Sequence, residues 1–232
     1  MTTPTEFDLT GNVAVVTGGG QGIGEGIAKS FSRAGASVVV AARHQDRIDR
    51  VAGEINDAGG KALAVRTDVT DAGALAELAD AAVSTFGGLH TWVNNAGGSP
   101  VRTPLRDLTD EDWDHCIALN LTAVWKATVV AAERMTDGGA VIHISSPAGD
   151  RAVPGSGHYG AAKAGVNSLT KTMSLEFAPK IRVNGISPGY VPTEVMMTAL
   201  EMDEDALEAM AGKRIPLQRL GTPNDMGSTA VF

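Results

Sequence analysis

Short runs rich in β-branched and small apolar residues return along the chain at 13–17, 37–41, 62–66, 89–93, 140–144 and 181–186. Each reads as a strand. Between them lie longer stretches with helical periodicity at 25–33, 45–58, 71–86, 113–135 and 160–177. Few folds accept this alternation. A strand that reaches the next strand through a helix runs parallel to it, by a right-handed crossover. The pattern therefore predicts an α/β fold with a parallel sheet. The 232 residues suit one domain spanning 1–232, with no internal repeat and no low-complexity linker.

The turn after the first strand narrows the fold further. It reads Thr17-Gly18-Gly19-Gly20-Gln21-Gly22-Ile23-Gly24 and leads into a helix. Glycines let a backbone approach a pyrophosphate, and a helix N-terminus supplies N–H donors and positive dipole. The spacing is G-x-x-x-G-x-G rather than the G-x-G-x-x-G dinucleotide pattern, and a plain left-handed turn would use the same glycines. The strand before and the helix after favour the phosphate reading. The second strand ends in Ala41-Ala42-Arg43, with no carboxylate before Asp46. In a dinucleotide fold an acidic residue there takes the 2′-OH of NAD, whereas an arginine accommodates the 2′-phosphate of NADP. Asp68 and Val69 follow the third strand, where an adenine ring could rest. Asn94-Asn95-Ala96-Gly97-Gly98 follows the fourth.

Tyr159 and Lys163 are four residues apart, so a helix stacks them on one face. An ammonium beside a phenol lowers the phenol's pKa from about 10, and such a tyrosine can exchange a proton with a carbonyl or an alcohol. Asn120 stands in an apolar helical stretch where an amide is mildly unfavourable and needs a reason. Cys116, the only cysteine, lies in the apolar register of that helix and reads as a buried thiol. The five histidines form no ligand-like cluster, so no metal site is expected. A net charge of −8 argues against nucleic acid and anionic membranes as partners. With no N-terminal apolar signal region and no run of about 18 apolar residues, the sequence predicts a cytoplasmic protein. Residues 1–10 read as a loose polar arm. The stretch 191–213 holds Met196, Met197, Met202 and Met210 among acidic residues. It reads as an adaptable substrate lid or as a surface helix packed on the body.

In order and spacing, Thr17-Gly18-x-x-x-Gly22-Ile23-Gly24, Asn94-Asn95-Ala96-Gly97, Asn120, Ser146, Tyr159-x-x-x-Lys163 and Pro188-Gly189 resemble the short-chain dehydrogenase/reductase family. Ser146, 13 residues before Tyr159, matches the family's serine better than Ser145. The resemblance runs over nearly the whole chain. It implies a Rossmann-type doubly wound sheet and an enzyme in which Asn120, Ser146, Tyr159 and Lys163 are catalytic. Tyr159 would be the general acid or base, Ser146 would bind the substrate oxygen, Lys163 would tune Tyr159 and hold the nicotinamide ribose, and Asn120 would hold a relaying water. For the cofactor it implies the turn residues Gly18, Gly20, Gln21, Gly22, Ile23 and Gly24, then Arg43, Asp68, Val69, Asn95, Ala96 and Gly97. On the nicotinamide side it implies Pro188, Gly189, Val191 and Thr193. NADP is the expected cofactor through Arg43, with NAD the alternative because Gln21 stands where many NADP-using relatives carry a basic residue.

Relatives continue past a segment like 221–226 through a helix and a seventh strand, so the sheet is expected to lack that last C-terminal strand. A homo-oligomer, tetramer or dimer, is the expected assembly. The substrate is expected to be a small-molecule carbonyl or alcohol, either bulky, apolar and hydroxysteroid-like, or a 3-oxoacyl thioester. A non-enzymatic dinucleotide sensor on the same fold is the competing class. It would be expected to have lost Tyr159, Lys163 or Ser146.

Overall fold

Val13–Thr17 (β1) buries every side chain, as expected of a parallel strand covered on both faces. The computed structural model describes residues 7–99 and 101–232. Around β1 it assembles Ser37–Ala42 (β2), Lys61–Arg66 (β3), Thr91–Asn94 (β4), Gly139–Ile144 (β5) and Ile181–Ile186 (β6). All pairs are parallel, in the order β3-β2-β1-β4-β5-β6, giving six strands among the described residues. The order reverses between β1 and β4. A crevice opens beyond the strand C-termini at such a switch point, which is where ligands bind in open α/β sheets.

Strand alternation divides the core in two. Val13, Val15 and Trp92 face one side, with Leu75, Leu78, Ala127 and Met173. These come from Ala72–Phe86 (α3), Ala123–Arg134 (α5) and Gly157–Glu176 (α6). Ala14, Val16 and Val93 face the other, with Ile27, Phe31 and Ile48. Those come from Gly22–Arg33 (α1) and Gln45–Asp57 (α2), joined there by Ala230 of Pro223–Val231 (α9). The fold is the predicted doubly wound α/β sheet.

Several boundaries moved. Helix α1 starts at Gly22, within the glycine turn, and α6 starts at Gly157, so Tyr159 is itself helical. The stretch expected as one helix from 113 is Asp110–Ile117 (α4), a π turn Ala118–Thr122, and α5. Thr109 caps α4 by accepting a bond from Asp112 N at 3.1 Å. Taken together, Asp110–Arg134 is long and apolar enough by composition to cross a membrane. Here its Cys116, Asn120, Val124, Ala127 and Ala131 are buried in the body.

The arm expected over 1–10 falls partly outside the described residues. Residues 7–10 are docked rather than loose: Leu9 N donates to Ala34 O at 2.7 Å, and its side chain packs on the core. The methionine-rich stretch forms Glu194–Leu200 (α7) and Glu204–Arg214 (α8). Met196, Met197 and Met210 pack with Leu207, Ala211 and Leu220 in a small apolar cluster of their own.

Candidate active site

The glycine turn is held open against the end of β4. Thr17 Oγ1 donates to Val93 O at 3.0 Å and accepts from the N–H groups of Asn95 and Ala96 at 3.0 and 3.1 Å. Asn95 Nδ2 donates to Thr17 O and Gly18 O at 2.9 and 3.2 Å. The Asn95 amide is therefore engaged in shaping the turn. Gly18 and Gly22 have φ of +64° and +55°, the left-handed region that suits glycine. A Cβ on Gly18 would stand 2.8 Å from Asn95 Nδ2, and one on Gly24 would strike Gly18 O. The N-cap of α1, Gln21, makes no side-chain capping bond, so the first N–H groups of this twelve-residue helix face the crevice side of the turn unengaged by it. A close backbone, glycines that keep it bare and free helix N–H donors fit a pyrophosphate.

Arg43 is exposed just past β2, near enough to Asp68 to help hold that carboxyl below its usual range. The larger cause is Thr70, whose N–H and hydroxyl both donate to Asp68 Oδ1, at 2.9 and 2.7 Å. Val69 is nearly buried and belongs to the core below. Gly97 lies between Asn120 and Lys163: a Cβ there would stand 2.8 Å from Asn120 Oδ1 and 3.5 Å from Lys163 Nζ.

On the opposite wall Pro188 and Val191 are buried, Gly189 is exposed, and Thr193 caps α7 by accepting from Met196 N at 3.2 Å. The start of α7 lies against the glycine turn and the end of β4. A Cβ on Gly22 would stand 3.0 Å from Thr193 Cγ2, and one on Gly98 would stand 2.8 Å from Val195 Cγ1. Glu194 pairs with Arg47 of α2 at 2.8 Å. The stretch has a small apolar core of its own and packs on the body at these points.

Tyr159, Lys163 and Ser146 come together, with Asn120 reaching Lys163 around Gly97. Lys163 is almost wholly buried, its Nζ donates to Ile144 O at 2.8 Å, and it lies 5.6 Å from the Tyr159 ring centroid. Burial brings its pKa down to about 8. Burial likewise raises the Tyr159 phenol, and a hydrogen bond from Ser146 works against that rise. The expected lowering of the phenol by Lys163 is therefore not what this geometry produces. The ammonium faces the ring and the Ile144 carbonyl, and it is itself costly to keep charged.

Ser146 Oγ also accepts from Ala148 N at 3.2 Å, capping the 3-10 turn Pro147–Gly149. Ser145 turns the other way and donates to Asn167 Oδ1 at 2.5 Å, so 146 is the serine beside the phenol. Asn120 is fully buried in the π turn. Its Nδ2 donates to Cys116 O, the carbonyl that an α-helix would give to the backbone N–H of residue 120, at 3.0 Å. It also donates to Gly98 O at 2.9 Å, and its Oδ1 accepts from Gly98 N at 2.8 Å. Those bonds are the reason for an amide inside this helix.

The Ile144 carbonyl and the Arg47–Glu194 pair carry no signal in the sequence. One is a backbone group, and the other joins residues far apart in the chain. A cavity of about 360 Å³ lies beside Ala148–Val153 and the Gly160–Ala164 face of α6. None of Ser146, Tyr159 or Lys163 lines it, so it is not where the four residues meet.

Residues 18–232 match the family model described as enoyl-(acyl carrier protein) reductase. The chain is 39% identical to an oxidoreductase of Mycobacterium tuberculosis, over 97% of this chain and 86% of that one. It is 35% identical to the 7alpha-hydroxysteroid dehydrogenase of Escherichia coli, over 97% of this chain and 87% of that one. A solved 7 alpha-hydroxysteroid dehydrogenase, complexed with NADH and 7-oxo glycochenodeoxycholic acid, superposes with a TM-score of 0.91 at 34% identity. That match covers all of this chain and 90% of the other.

Proposed function

The chain belongs to the short-chain dehydrogenase/reductase family and is an NAD(P)-dependent oxidoreductase; on that premise we propose that it moves hydride between NADP(H) and a bulky apolar ketone or secondary alcohol, hydroxysteroid-like in size. The convergence of Tyr159, Ser146 and Lys163 carries this reading, with 191–213 as its apolar lid. A bound nicotinamide dinucleotide supplies or accepts the hydride, which is chemistry the chain cannot do alone. The glycine turn and the α1 N–H groups hold its pyrophosphate. Arg43 takes the 2′-phosphate, and Asp68 and Val69 edge the adenine. Pro188, Gly189, Val191 and Thr193 hold the nicotinamide side.

In reduction, the Tyr159 hydroxyl gives its proton to the substrate oxygen while the Ser146 hydroxyl donates a hydrogen bond to it. In oxidation the proton returns. Lys163, below its usual range at about 8, can restore the proton to Tyr159 and would hold the nicotinamide ribose hydroxyls of the bound cofactor. Asn120, whose Oδ1 lies near Lys163 around Gly97, would hold the water that relays a proton to Lys163.

A 3-oxoacyl-thioester reductase is the second reading; the description of the matching family model shares its acyl-carrier context, although an enoyl group is reduced at a carbon–carbon double bond and not at a 3-oxo carbonyl. The acidic opening of α8, with Asp203, Glu204 and Asp205, disfavours docking by an acidic carrier protein. We also infer a homo-oligomer, dimer or tetramer, supported by the large apolar side chains that stay exposed on α5 and α6, Trp125 and Leu175.

Loss of NADPH absorbance with the purified chain, a panel of hydroxysteroid-like ketones and a 3-oxoacyl thioester tests the substrate. Turnover of the thioester alone would overturn the first reading. Arg43→Asp should shift cofactor preference from NADP towards NAD. A wild-type chain that binds NAD more tightly than NADP would remove the role given to Arg43.

A further inference from the structure

After β4, residues 98–99 and 101–105 are tied at successive points to the elements that carry Asn120 and Tyr159. Asn120 holds Gly98 by both its N–H and its C=O. Thr103 N donates to Gly155 O at 2.9 Å, and the side chain of Leu105 lies over Gly157 at the start of α6. Between these anchors Ser99 meets His158, the residue immediately before Tyr159. Ser99 Oγ stands 2.8 Å from His158 Nε2 and 3.1 Å from Val101 O. A hydroxyl has one proton, and a carbonyl can only accept. Ser99 therefore donates to Val101 O, and His158 Nε2–H donates to Ser99. The other ring nitrogen, Nδ1, is left a bare acceptor, buried and without a hydrogen-bond partner among the described residues.

His158 is fully buried, and burial holds its pKa below the usual range although the charge of Asp112 pulls the other way. A neutral imidazole of one tautomer is kept in place at the cost of an unsatisfied nitrogen. Core packing alone has no need of such a group. A requirement on the position of Ser99 accounts for it, because Ser99 follows Gly98, and Gly98 is the point on which Val195 of α7 rests.

We propose that His158 is a positioning residue for the substrate: through Ser99 it fixes residues 98–99 and 101–103, and with them the contact of Gly98 with Val195, relative to the Tyr159 hydroxyl. This rests on the reading of Tyr159 as the group that exchanges a proton with a substrate carbonyl.

Three variants test it. His158→Phe keeps the bulk and removes the donor, Ser99→Ala removes the acceptor, and His158→Gln returns an N–H where Nε2 stood. Loss of the bond should raise KM for the ketone about tenfold, with kcat changed much less. Cofactor affinity should stay at the wild-type value. The double variant His158→Phe/Ser99→Ala should be no worse than either single one, and His158→Gln should recover most of the loss. Trypsin cleavage after Arg102, which is exposed within the segment, should be several-fold faster in His158→Phe and Ser99→Ala and near normal in His158→Gln.

Unchanged cleavage in both single variants, effects that multiply in the double variant, or an equal loss of cofactor affinity would overturn the proposal. The protease arm needs no turnover. A wild-type chain that reduces no ketone, together with faster cleavage in His158→Phe, would sink the carbonyl reading and leave the anchoring intact. Turnover by the wild type with KM and cleavage unmoved in both single variants would do the reverse. Ser99→Ala, a small change, keeps the question open to refutation should the phenylalanine variant fail to fold.

Discussion

Spacing alone put Tyr159 and Lys163 on one helix face, and the resemblance to the family gave the pair its expected role. The environment of the pair was not legible. An ammonium seen only as a neighbour lowers a phenol's pKa; an ammonium buried beside the Ile144 carbonyl has a depressed pKa of its own and leaves the phenol raised. The proton-donor role rests on the hydroxyl itself and has a direct test. Tyr159→Phe should cut turnover by about 10²–10⁴-fold with cofactor binding largely unchanged, read by initial rates and by cofactor titration. Substantial residual turnover would remove Tyr159 as the proton donor. The serine was legible too. Its 13-residue offset from Tyr159 matched 146, and the structure turns Ser145 away towards Asn167.

Among the elements, the break of the long helix into α4, a π turn and α5 had only one trace in the sequence, the amide at 120 inside an apolar run. Propensity marks such a residue as out of place but cannot say how the backbone yields around it. The docking of α7 had no local trace at all. An ion pair joins Glu194 to Arg47 across 147 positions, at 2.8 Å and partly exposed, and on the proposed reading of 191–213 as a lid it would act as the latch. Exposed pairs contribute roughly 0–1 kcal/mol, so global stability should barely change when this one is removed. Glu194→Gln should instead raise the rate at which cofactor leaves, by a few-fold, with the unfolding midpoint unmoved. Stopped-flow displacement of bound cofactor reads the first quantity and thermal unfolding the second. An unaltered off-rate would mean that the pair does not hold the lid.

For the molecule as a whole, one polar chain ties four elements behind the site. Trp92 Nε1 donates to Asn94 Oδ1, and Asn94 Nδ2 donates to Thr128 Oγ1, at 2.9 and 3.0 Å. Thr128 meets His143 Nε2 at 3.0 Å, and His143 Nδ1 meets Thr170 Oγ1 at 2.9 Å. The hydroxyls of Thr170 and Thr128 also donate to Val166 O and Val124 O, at 2.8 and 2.7 Å. Burial holds His143 near a pKa of about 4. Unfolded, it titrates near 6.5, so between those values the unfolded chain binds the extra proton. The contribution of this group to stability is complete above about pH 6.5 and is lost as pH falls through about 4, an effect of about 3 kcal/mol at most. Urea unfolding between pH 7.5 and 4.5 should show that loss, and His143→Gln should flatten the slope by about one proton. A slope unchanged in His143→Gln would show that other groups carry the acid sensitivity.

The order of strands and helices and the glycine turn were determined by the sequence itself, through local rules: a period of 2 or 3.6, or a turn that needs positive φ. The four site residues were singled out together by the resemblance to the family, since spacing alone gives Tyr159 and Lys163 no more than a shared helix face. What the tertiary structure alone decided was which ends meet. The parallel order β3-β2-β1-β4-β5-β6 brings Thr17 to Asn95, 78 positions apart, and so shapes the glycine turn. It also buries Lys163, sets Val195 of α7 against Gly98 and sets His158 against Ser99. Contacts of that kind depend on packing between segments distant in the chain, and no window along the sequence contains both partners.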